Sequence, residues 1–355
     1  MKVAILGHFA EGKNFCDGQT VKTRMLYDGF CNYSNYELVK IDSYNWKKHP
    51  LRLVMKIRKA VKSCDNFIML PASNGVKVFV PLVNFFNKKH KCKVFYCVIG
   101  AWLAKVAKNK CCLLKNLKKL DGIWTETEVL KKELAELDIA NVEVVENFKD
   151  IEAVRVNKQE IYEAEVKKFC TFSRVIKEKG ISLAIETIAK INKEYSAGDN
   201  SKESSNITAK LDIYGPVGED YKAEFFELVQ KYSKFVEYKG VAEPSESATI
   251  LSRYYCLLFP TFYKGECMPG SIIDSLFAGT PIVASSWSHV NEILDSSIAQ
   301  IYDYDSREEG LYQSIQTMIN IEQSAYLKMT ENCYTKSEKY KTENIMVKIK
   351  SLVDM

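Results

Sequence analysis

Residues 257–285 read LLFPTFYKGECMPGSIIDSLFAGTPIVAS and decide the fold class of the chain. The runs LLFP and TPIVAS are continuously apolar, which is typical of strands buried on both faces of a parallel sheet. Between them Pro269-Gly270 begins an apolar helix, because proline suits the first turn of a helix. The stretch therefore predicts a strand, loop, helix, turn and strand, as in α/β proteins. Two carboxylates, Glu266 and Asp274, lie on either side of the helix start.

The same alternation of apolar runs with helical segments extends along the whole chain. Six runs in each half predict two parallel sheets in series, each covered by helices on both faces. The predicted fold class is α/β, with two Rossmann-like, doubly wound domains. A polar segment at 195–210 predicts a loop in the second half. The runs are KVAILGH, YELVKID, NFIMLPA, KVFYCVIG, GIWTET and VEVVEN, followed by KFCTFSR, LDIYGPV, FVEYKGV, YYCLLFP, TPIVAS and IAQIYD.

The composition is that of an ordinary globular protein. A chain of 355 residues suits two domains, and its 46% apolar and 27% charged residues are average. No apolar run reaches the ~18 residues of a membrane span, and the apolar start is too short for a signal peptide. Eleven cysteines occur without a C-x-x-C pair, which predicts neither a disulfide framework nor a zinc site. We therefore expect a cytoplasmic location.

Charge is divided unevenly along the chain. Residues 1–150 carry 26 Lys and Arg against 15 Asp and Glu, whereas the remainder has a net charge of −6. A basic first half indicates an anionic partner, either nucleic acid or a membrane surface. Nucleic acid is disfavoured, because the positive charge is neither interleaved with aromatic residues nor part of a binding motif.

The basic helix predicted at 47–64 supports two interpretations. It is either an ordinary covering helix or a peripheral contact with an anionic membrane. In either case we expect one rough apolar face, formed by Leu51, Val54, Met55, Ile57 and Val61.

The first loop lacks the G-x-G-x-x-G turn of dinucleotide-binding proteins, and the chain lacks a P-loop, so any nucleotide must be bound in another way. The candidate binding and catalytic residues lie in three segments of the second half. They are FCTFSRVIKEKGI at 169–181, YKGVAEPSE at 238–246, and the stretch at 257–285. In the first segment, Arg174 follows a strand and Lys179 lies close to the start of a helix.

These segments resemble GT-B-fold retaining glycosyltransferases of glycosyltransferase family 4, in particular those that assemble bacterial surface polysaccharides such as capsules. The family pattern of Gly-Arg, four residues and Lys-Gly appears as SRVIKEKG, with Ser173 in place of glycine. The Glu-x7-Glu motif appears as Glu266 and Asp274. In VIGAWLAK, Ile99 stands where the family often has histidine, and Gln19 stands where a second glycine is usual in the first loop.

The resemblance implies a function and a division of labour. The enzyme would move a hexose from a nucleotide-diphosphate sugar, a UDP-sugar first of all, to a glycan or polyprenyl-diphosphate-linked acceptor with retention of configuration. Residues 1–165 would form the acceptor domain and 166–335 the donor domain, and a final helix at 336–355 would pack back on the first. The implied catalytic residues are Glu266, Arg174 and Lys179. The implied donor-binding residues are Gly18, Ser173, Val241, Cys267, Met268, Pro269, Gly270, Ser271 and Asp274.

The chemistry of the departing diphosphate is consistent with this resemblance. Its growing negative charge needs cations or backbone N–H groups, and Arg174, Lys179 and the helix start at Pro269-Gly270 supply both. With this set we expect no metal and no other cofactor. Asp303 and Asp305 mimic the metal-binding DxD motif of other transferases and are interpreted as surface residues.

Two alternatives stay open. One is a nucleotide-sugar epimerase of the same fold. The other is a glycan-binding scaffold without turnover, which the departures at Ser173, Ile99 and Asp274 would fit. His8 and His289 are interpreted as structural residues rather than catalytic ones.

Overall fold

The computed structural model describes residues 1–13, 15, 17–33, 35–89, 91–198 and 208–354. The chain forms two compact units, each built around its own six-stranded parallel sheet, which confirms the predicted fold class. The first unit contains Met1–Asp150, Gly265–Met268 and Lys339–Met355. The second contains Ile151–Lys264 and Pro269–Glu338.

The first sheet has the order β2-β1-β3-β4-β5-β6. Its strands lie where the apolar runs predict them. They are β1 (Lys2–Gly7), β2 (Glu37–Asp42), β3 (Asn66–Met69), β4 (Lys93–Cys97), β5 (Gly122–Thr125) and β6 (Val142–Val144). The helices of this unit are α1 (Gly18–Cys31), α2 (Pro50–Ser63), α3 (Ser73–Phe86), α4 (Leu103–Lys108), α5 (Cys111–Leu117), α6 (Glu128–Ala135) and, at the end of the chain, α14 (Thr342–Asp354).

The second sheet has the order β12-β11-β10-β7-β8-β9. Its strands are β7 (Lys167–Phe172), β8 (Ala209–Tyr214), β9 (Val236–Gly240), β10 (Cys256–Phe259), β11 (Ile282–Ser285) and β12 (Ala299–Tyr302). Its helices are α7 (Lys158–Glu163), α8 (Ile181–Gly198), α9 (Lys222–Lys231), α10 (Ser247–Leu251), α11 (Gly270–Phe277), α12 (Arg307–Ile319) and α13 (Gln323–Ser337). In the polar segment predicted as a loop, the first four residues end α8, whereas 199–207 lie outside the described residues.

Successive residues of β1 show why the strands are continuously apolar. Val3 and Ile5 pack into one core, together with α1 and α14, whereas Ala4 and Leu6 pack into another, beneath α2 and α3. All four are fully buried. A strand whose side chains alternate between two covered faces needs apolar residues at every position.

Helix α2 differs from its prediction. Ile57 and Val61 are buried against the sheet, but Leu51 and Met55 are 79% and 70% exposed. The prediction of one apolar face was therefore wrong. The helix packs through Leu53, Ile57, Ala60 and Val61, and it presents two apolar side chains to solvent among its basic residues.

Both sheets reverse direction in their strand order at one place, between β1 and β3 in the first and between β7 and β10 in the second. In open α/β sheets, ligands bind beyond the carboxyl ends of the strands at such a switch point. We therefore expect ligands to bind at the loops that follow these four strands.

Candidate functional site

The switch point of the second unit brings Arg174 and Lys179 together. Arg174 lies in the loop that follows β7, and Lys179 ends the short 3-10 turn Lys177–Lys179 before α8. Both cations face the ring of Tyr263, each with its charged group 5.5 Å from the ring centroid. Cations placed over an aromatic face are stabilised by the ring quadrupole. The structure thus brings Arg174 and Lys179 to the same aromatic ring.

Gly180 explains why Lys179 is buried. This glycine has φ +68°, and a Cβ atom on it would lie 2.1 Å from the carbonyl oxygen of Pro260. The loop after β7 therefore approaches the end of β10 closely enough that only glycine fits. The N–H of Phe262 donates to the carbonyl of Glu178 at 2.8 Å and holds the two loops together.

Lys179 is strongly perturbed by these surroundings. Only 8% of the residue is exposed, and its Nζ lies 5.2 Å from the ring centroid of Phe259. Burial, with the positive charge of Arg174 adding to it, lowers the pKa of Lys179 to about 7. A lysine poised near neutrality at a switch point is typical of a site that receives an anion, because the anion would restore its charge.

The start of α11 supplies backbone donors in the same unit. Pro269 precedes the helix and its side chain makes no capping hydrogen bond, and Gly270 and Ser271 form the first turn, both half-buried. The first N–H groups of a helix have no intrahelical partners and favour anions. Asp274 follows one turn later and is only 3% exposed. A carboxylate at such a buried position is costly unless polar groups surround it.

Two further predicted donor residues, Ser173 and Val241, directly follow β7 and β9. Ser173 follows β7, and its carbonyl would lie 1.8 Å from a Cβ atom on Gly215, so the loops after β7 and β8 touch. Val241 follows β9 directly and is 53% exposed. An exposed apolar residue at the carboxyl end of a strand is a suitable contact for a nucleobase. No other feature of the described residues around Val241 indicates a role in donor binding.

The loop Gly265–Met268, which contains Glu266, belongs to the first unit. The loops that follow β4, β5 and β6 hold it there. Ala101 N–H donates to the carbonyl of Gly265 at 3.4 Å, and Asn147 Nδ2 donates to the carbonyl of Met268 at 3.1 Å. Glu266 lies between these anchors and is 7% exposed.

A buried ion pair behind this loop was missed by sequence reasoning. Lys22 Nζ lies 2.6 Å from Glu126 Oε1, and both side chains are less than 5% exposed. The Sγ of Cys267 lies 3.5 Å from Thr127 Oγ1. Burial is the largest single effect on the pKa of Lys22 and lowers it, but the charge and hydrogen bond of Glu126, together with nearby thiol groups, outweigh burial, so the pKa of Lys22 is raised. The two residues are 104 positions apart in sequence, so no local pattern signals the pair.

Gly18, predicted to lie against phosphates, is the first residue of α1. The carboxylate of Asp17 caps this helix and accepts hydrogen bonds from the N–H groups of Gln19 and Thr20. Those two donors are therefore occupied by a negative charge, which disfavours a second anion at this helix start.

The Asp303 and Asp305 pair lies where the sequence interpretation puts it, in an exposed turn after β12. The side chain of Asp303 accepts a hydrogen bond from the N–H of Asp305 at 2.8 Å and so caps its own turn. His289 is buried, with 1% exposed. Across the described ranges, no group of three or more His, Cys, Asp and Glu side chains has the arrangement of a metal site.

Comparisons with known proteins agree with this picture. Residues 166–320 match the family model described as glycosyl transferases group 1. No curated protein matches the chain by sequence. Among solved structures, HepE from Anabaena in complex with UDP superposes with a TM-score of 0.75 at 12% identity, over 100% of both chains.

Two further structures are similar over nearly their whole length. Sucrose-phosphate synthase from Thermosynechococcus elongatus gives a TM-score of 0.73 at 11% identity, covering 99% of this chain and 98% of that one. The lipopolysaccharide outer core galactosyltransferase WaaB gives 0.67 at 13% identity, covering 99% of both chains. The protein therefore has the GT-B fold, and its residues 166–320 carry the sequence pattern of the group 1 glycosyl transferases.

Proposed function

We propose that this protein is a retaining, metal-independent glycosyltransferase of family 4 that transfers a hexose from a UDP-sugar to a glycan or lipid-linked glycan in surface polysaccharide assembly. The observation that carries the proposal is the Arg174–Lys179 pair at the switch point of a group 1 glycosyl transferase segment. Structures of similar fold support the donor, since HepE has been solved with UDP and with UDP-glucose.

The roles of the residues follow from their chemistry. Arg174 offers two parallel N–H groups and Lys179 a compact charge to the diphosphate, and the N–H groups at Gly270 add to them. Asp274 accepts a hydrogen bond from the nucleotide ribose. Glu266 accepts hydrogen bonds from hydroxyls of the donor sugar.

In the reaction, the bond between the anomeric carbon and the diphosphate oxygen breaks and a bond to the acceptor oxygen forms on the same face of the sugar. The departing phosphate accepts the proton of the acceptor hydroxyl. The protein's part is to stabilise the leaving diphosphate, because charge grows there as the bond breaks.

Release of nucleotide tests the proposal. Purified protein is incubated with UDP- and GDP-linked hexoses in turn, with a mixed glycan acceptor, and free UDP or GDP is measured. We expect release from at least one UDP-sugar, a sharp loss in Arg174→Ala, and a product whose anomeric configuration matches the donor by NMR. A donor that is epimerised without acceptor would instead identify an epimerase. UDP binding without any turnover would identify a scaffold.

We also propose that the first unit contacts an anionic membrane. Residues 47–119, which include α2, α3, α4 and α5, carry 18 Lys and Arg against the single acidic residue Asp65. These helices cover one side of the first sheet, and we call their outward surface the basic face. Within it, Leu51 and Met55 of α2 and Phe85 of α3 are 60% to 79% exposed. Apolar side chains ringed by lysines fit a leaflet of acidic lipids, where each nearby cation adds about 1 kcal/mol.

Sedimentation with vesicles tests this contact. Among the described residues, no helix is long and apolar enough to cross a membrane. We expect binding to vesicles of phosphatidylglycerol and phosphatidylcholine but not of phosphatidylcholine alone, with loss in Leu51→Ser/Met55→Ser. The matched control is Val347→Ser, which removes a 66% exposed apolar side chain from α14, outside the basic face. Equal binding to both kinds of vesicle would contradict the proposal.

A further inference from the structure

The switch point of the first sheet contains a histidine that the proposed mechanism does not use. His8 directly follows β1, and the side-chain amide of Gln19 reaches from α1 to the carbonyl of Leu70, just beyond β3, at 2.9 Å. The imidazole is half-buried. It thus lies at the edge of the sheet where α/β proteins bind ligands.

A chain of hydrogen bonds decides which nitrogen of His8 carries the proton. Thr20 Oγ1 lies 2.6 Å from Asp17 Oδ2 and 2.6 Å from His8 Nδ1. The hydroxyl has one proton, and the carboxylate can only accept, so the hydroxyl donates to Asp17. Thr20 must then accept from His8, which places a proton on Nδ1. The other nitrogen of the neutral ring, Nε2, is consequently an unprotonated acceptor.

The surroundings of the ring select the kind of ligand. The described residues provide no hydrogen-bond partner for Nε2. The rings of Tyr44 and Phe15 contact His8 in edge-to-face arrangements, with centroids 5.5 and 5.4 Å away. Asp42 accepts hydrogen bonds from the N–H groups of Phe9 and Tyr44 and so ties the loops after β1 and β2 together.

The carboxylate of Asp17 opposes an anion here, whereas an unprotonated nitrogen needs a ligand that donates. A neutral ligand with hydroxyl donors and apolar C–H faces satisfies both conditions, because the aromatic rings cover the apolar faces. A hexose unit has this chemistry.

We propose that His8 binds the glycosyl acceptor by accepting, at Nε2, a hydrogen bond from one of its hydroxyls, and that Thr20 and Asp17 hold the ring in the required tautomer. The inference rests on the proposed function for the identity of the ligand. The tautomer and the presence of a hydroxyl-binding site stand on the geometry alone.

The first test is the tautomer in solution. The chain has only four histidines, so long-range ¹H–¹⁵N NMR resolves their rings, and His8→Gln assigns His8. At about pH 8.5, above the range in which histidines ordinarily titrate, we expect a protonated Nδ1 and an unprotonated Nε2. Thr20→Val should release this preference, whereas Thr20→Ser should keep it. A proton on Nε2 in the wild-type protein would overturn the proposal.

The second test titrates the labelled protein with the methyl glycosides of glucose, galactose, mannose and N-acetylglucosamine. At least one should shift the His8 ring resonances, and His8→Gln should weaken its binding about tenfold, as expected for one hydrogen bond. If none of the four shifts His8, the site does not bind hexoses and the inference fails. UDP, titrated in the same way, tests the second unit. If a glycoside binds at His8 but UDP does not bind, the proposed function is contradicted, whereas the hydroxyl-binding site at His8 is still supported.

Discussion

Lys179 makes the proposed donor site testable without knowledge of the sugar. Its pKa in the folded protein is about 7, against 10.5 for an ordinary lysine, mainly because it is buried. A bound diphosphate places negative charge beside it and should restore the ordinary pKa. Binding of UDP must then be accompanied by uptake of a proton, and affinity must fall as pH rises. On this proposal the site should bind UDP best when Lys179 is charged, and above pH ~7 that charge has to be acquired.

The magnitude follows from the titration curve. At about pH 8 the free site would hold ~0.1 proton on Lys179 and the complex nearly one, so binding should take up ~0.9 proton. Between about pH 7 and 8.5 the Kd for UDP should rise ~15-fold. UDP itself changes little in this range, because its terminal phosphate titrates near pH ~6.

Calorimetry in buffers of different ionisation enthalpy measures both quantities. Lys179→Arg keeps the charge at every pH, so its UDP affinity should lose the pH dependence. The matched control is Lys177→Gln, two residues away, where an exposed lysine pairs with Glu224. It should behave as wild type. UDP binding without proton uptake, or a pH dependence that survives in Lys179→Arg, would refute this assignment.

Four further predictions concern the rest of the site. Arg174→Ala should lower kcat/KM by an amount that corresponds to about 2–4 kcal/mol of lost transition-state stabilisation. Its Tm should change little, since Arg174 is exposed; a large fall in Tm with intact activity would show that Arg174 is structural. Activity should persist in excess EDTA and in Asp303→Ala; loss restored by Mn²⁺ would contradict the metal-independent mechanism. Asp274→Ala should weaken UDP binding by about 1.5–3 kcal/mol, whereas Glu266→Gln should lower kcat and leave UDP binding intact. If calorimetry shows that UDP binding is lost in Glu266→Gln and kept in Asp274→Ala, the two roles are the reverse of those proposed. Lys22→Met should cost about 3–5 kcal/mol of unfolding free energy, because the buried carboxylate of Glu126 would lose its cation, and Lys22→Met/Glu126→Leu should regain much of it; equal denaturation of the single and double variants would argue against a coupled pair.

The architecture was predictable because its signal is local and repeated. Every buried strand such as β1 needs apolar residues on both faces, so each of the twelve runs marks a strand by itself. The proximity of Arg174 and Lys179 was predictable for a similar reason, since only four residues separate them in the sequence.

The properties of the site depend on distant contacts and were not predictable. Lys179 is perturbed because Gly180 meets Pro260, 80 positions later, and no pattern around Lys179 announces that approach. The different burial of the apolar residues of α2 also depends on distant contacts. Leu51 and Ile57 are equally apolar in sequence, and only the position of the sheet decides which of them is covered.

Net charge and local charge give opposite indications about where the diphosphate binds. The first 150 residues have a balance of +11 and the remainder −6, which by itself would direct an anion to the first unit. At the switch points the signs are reversed, with the Asp17 carboxylate at the first and the Arg174–Lys179 pair at the second. Groups within a few ångströms of a ligand outweigh charges that water and salt screen beyond about 10 Å. We therefore expect the second unit to take the nucleotide, while the positive charge of the first unit lies mainly on its basic face and acts on a surface rather than on a substrate.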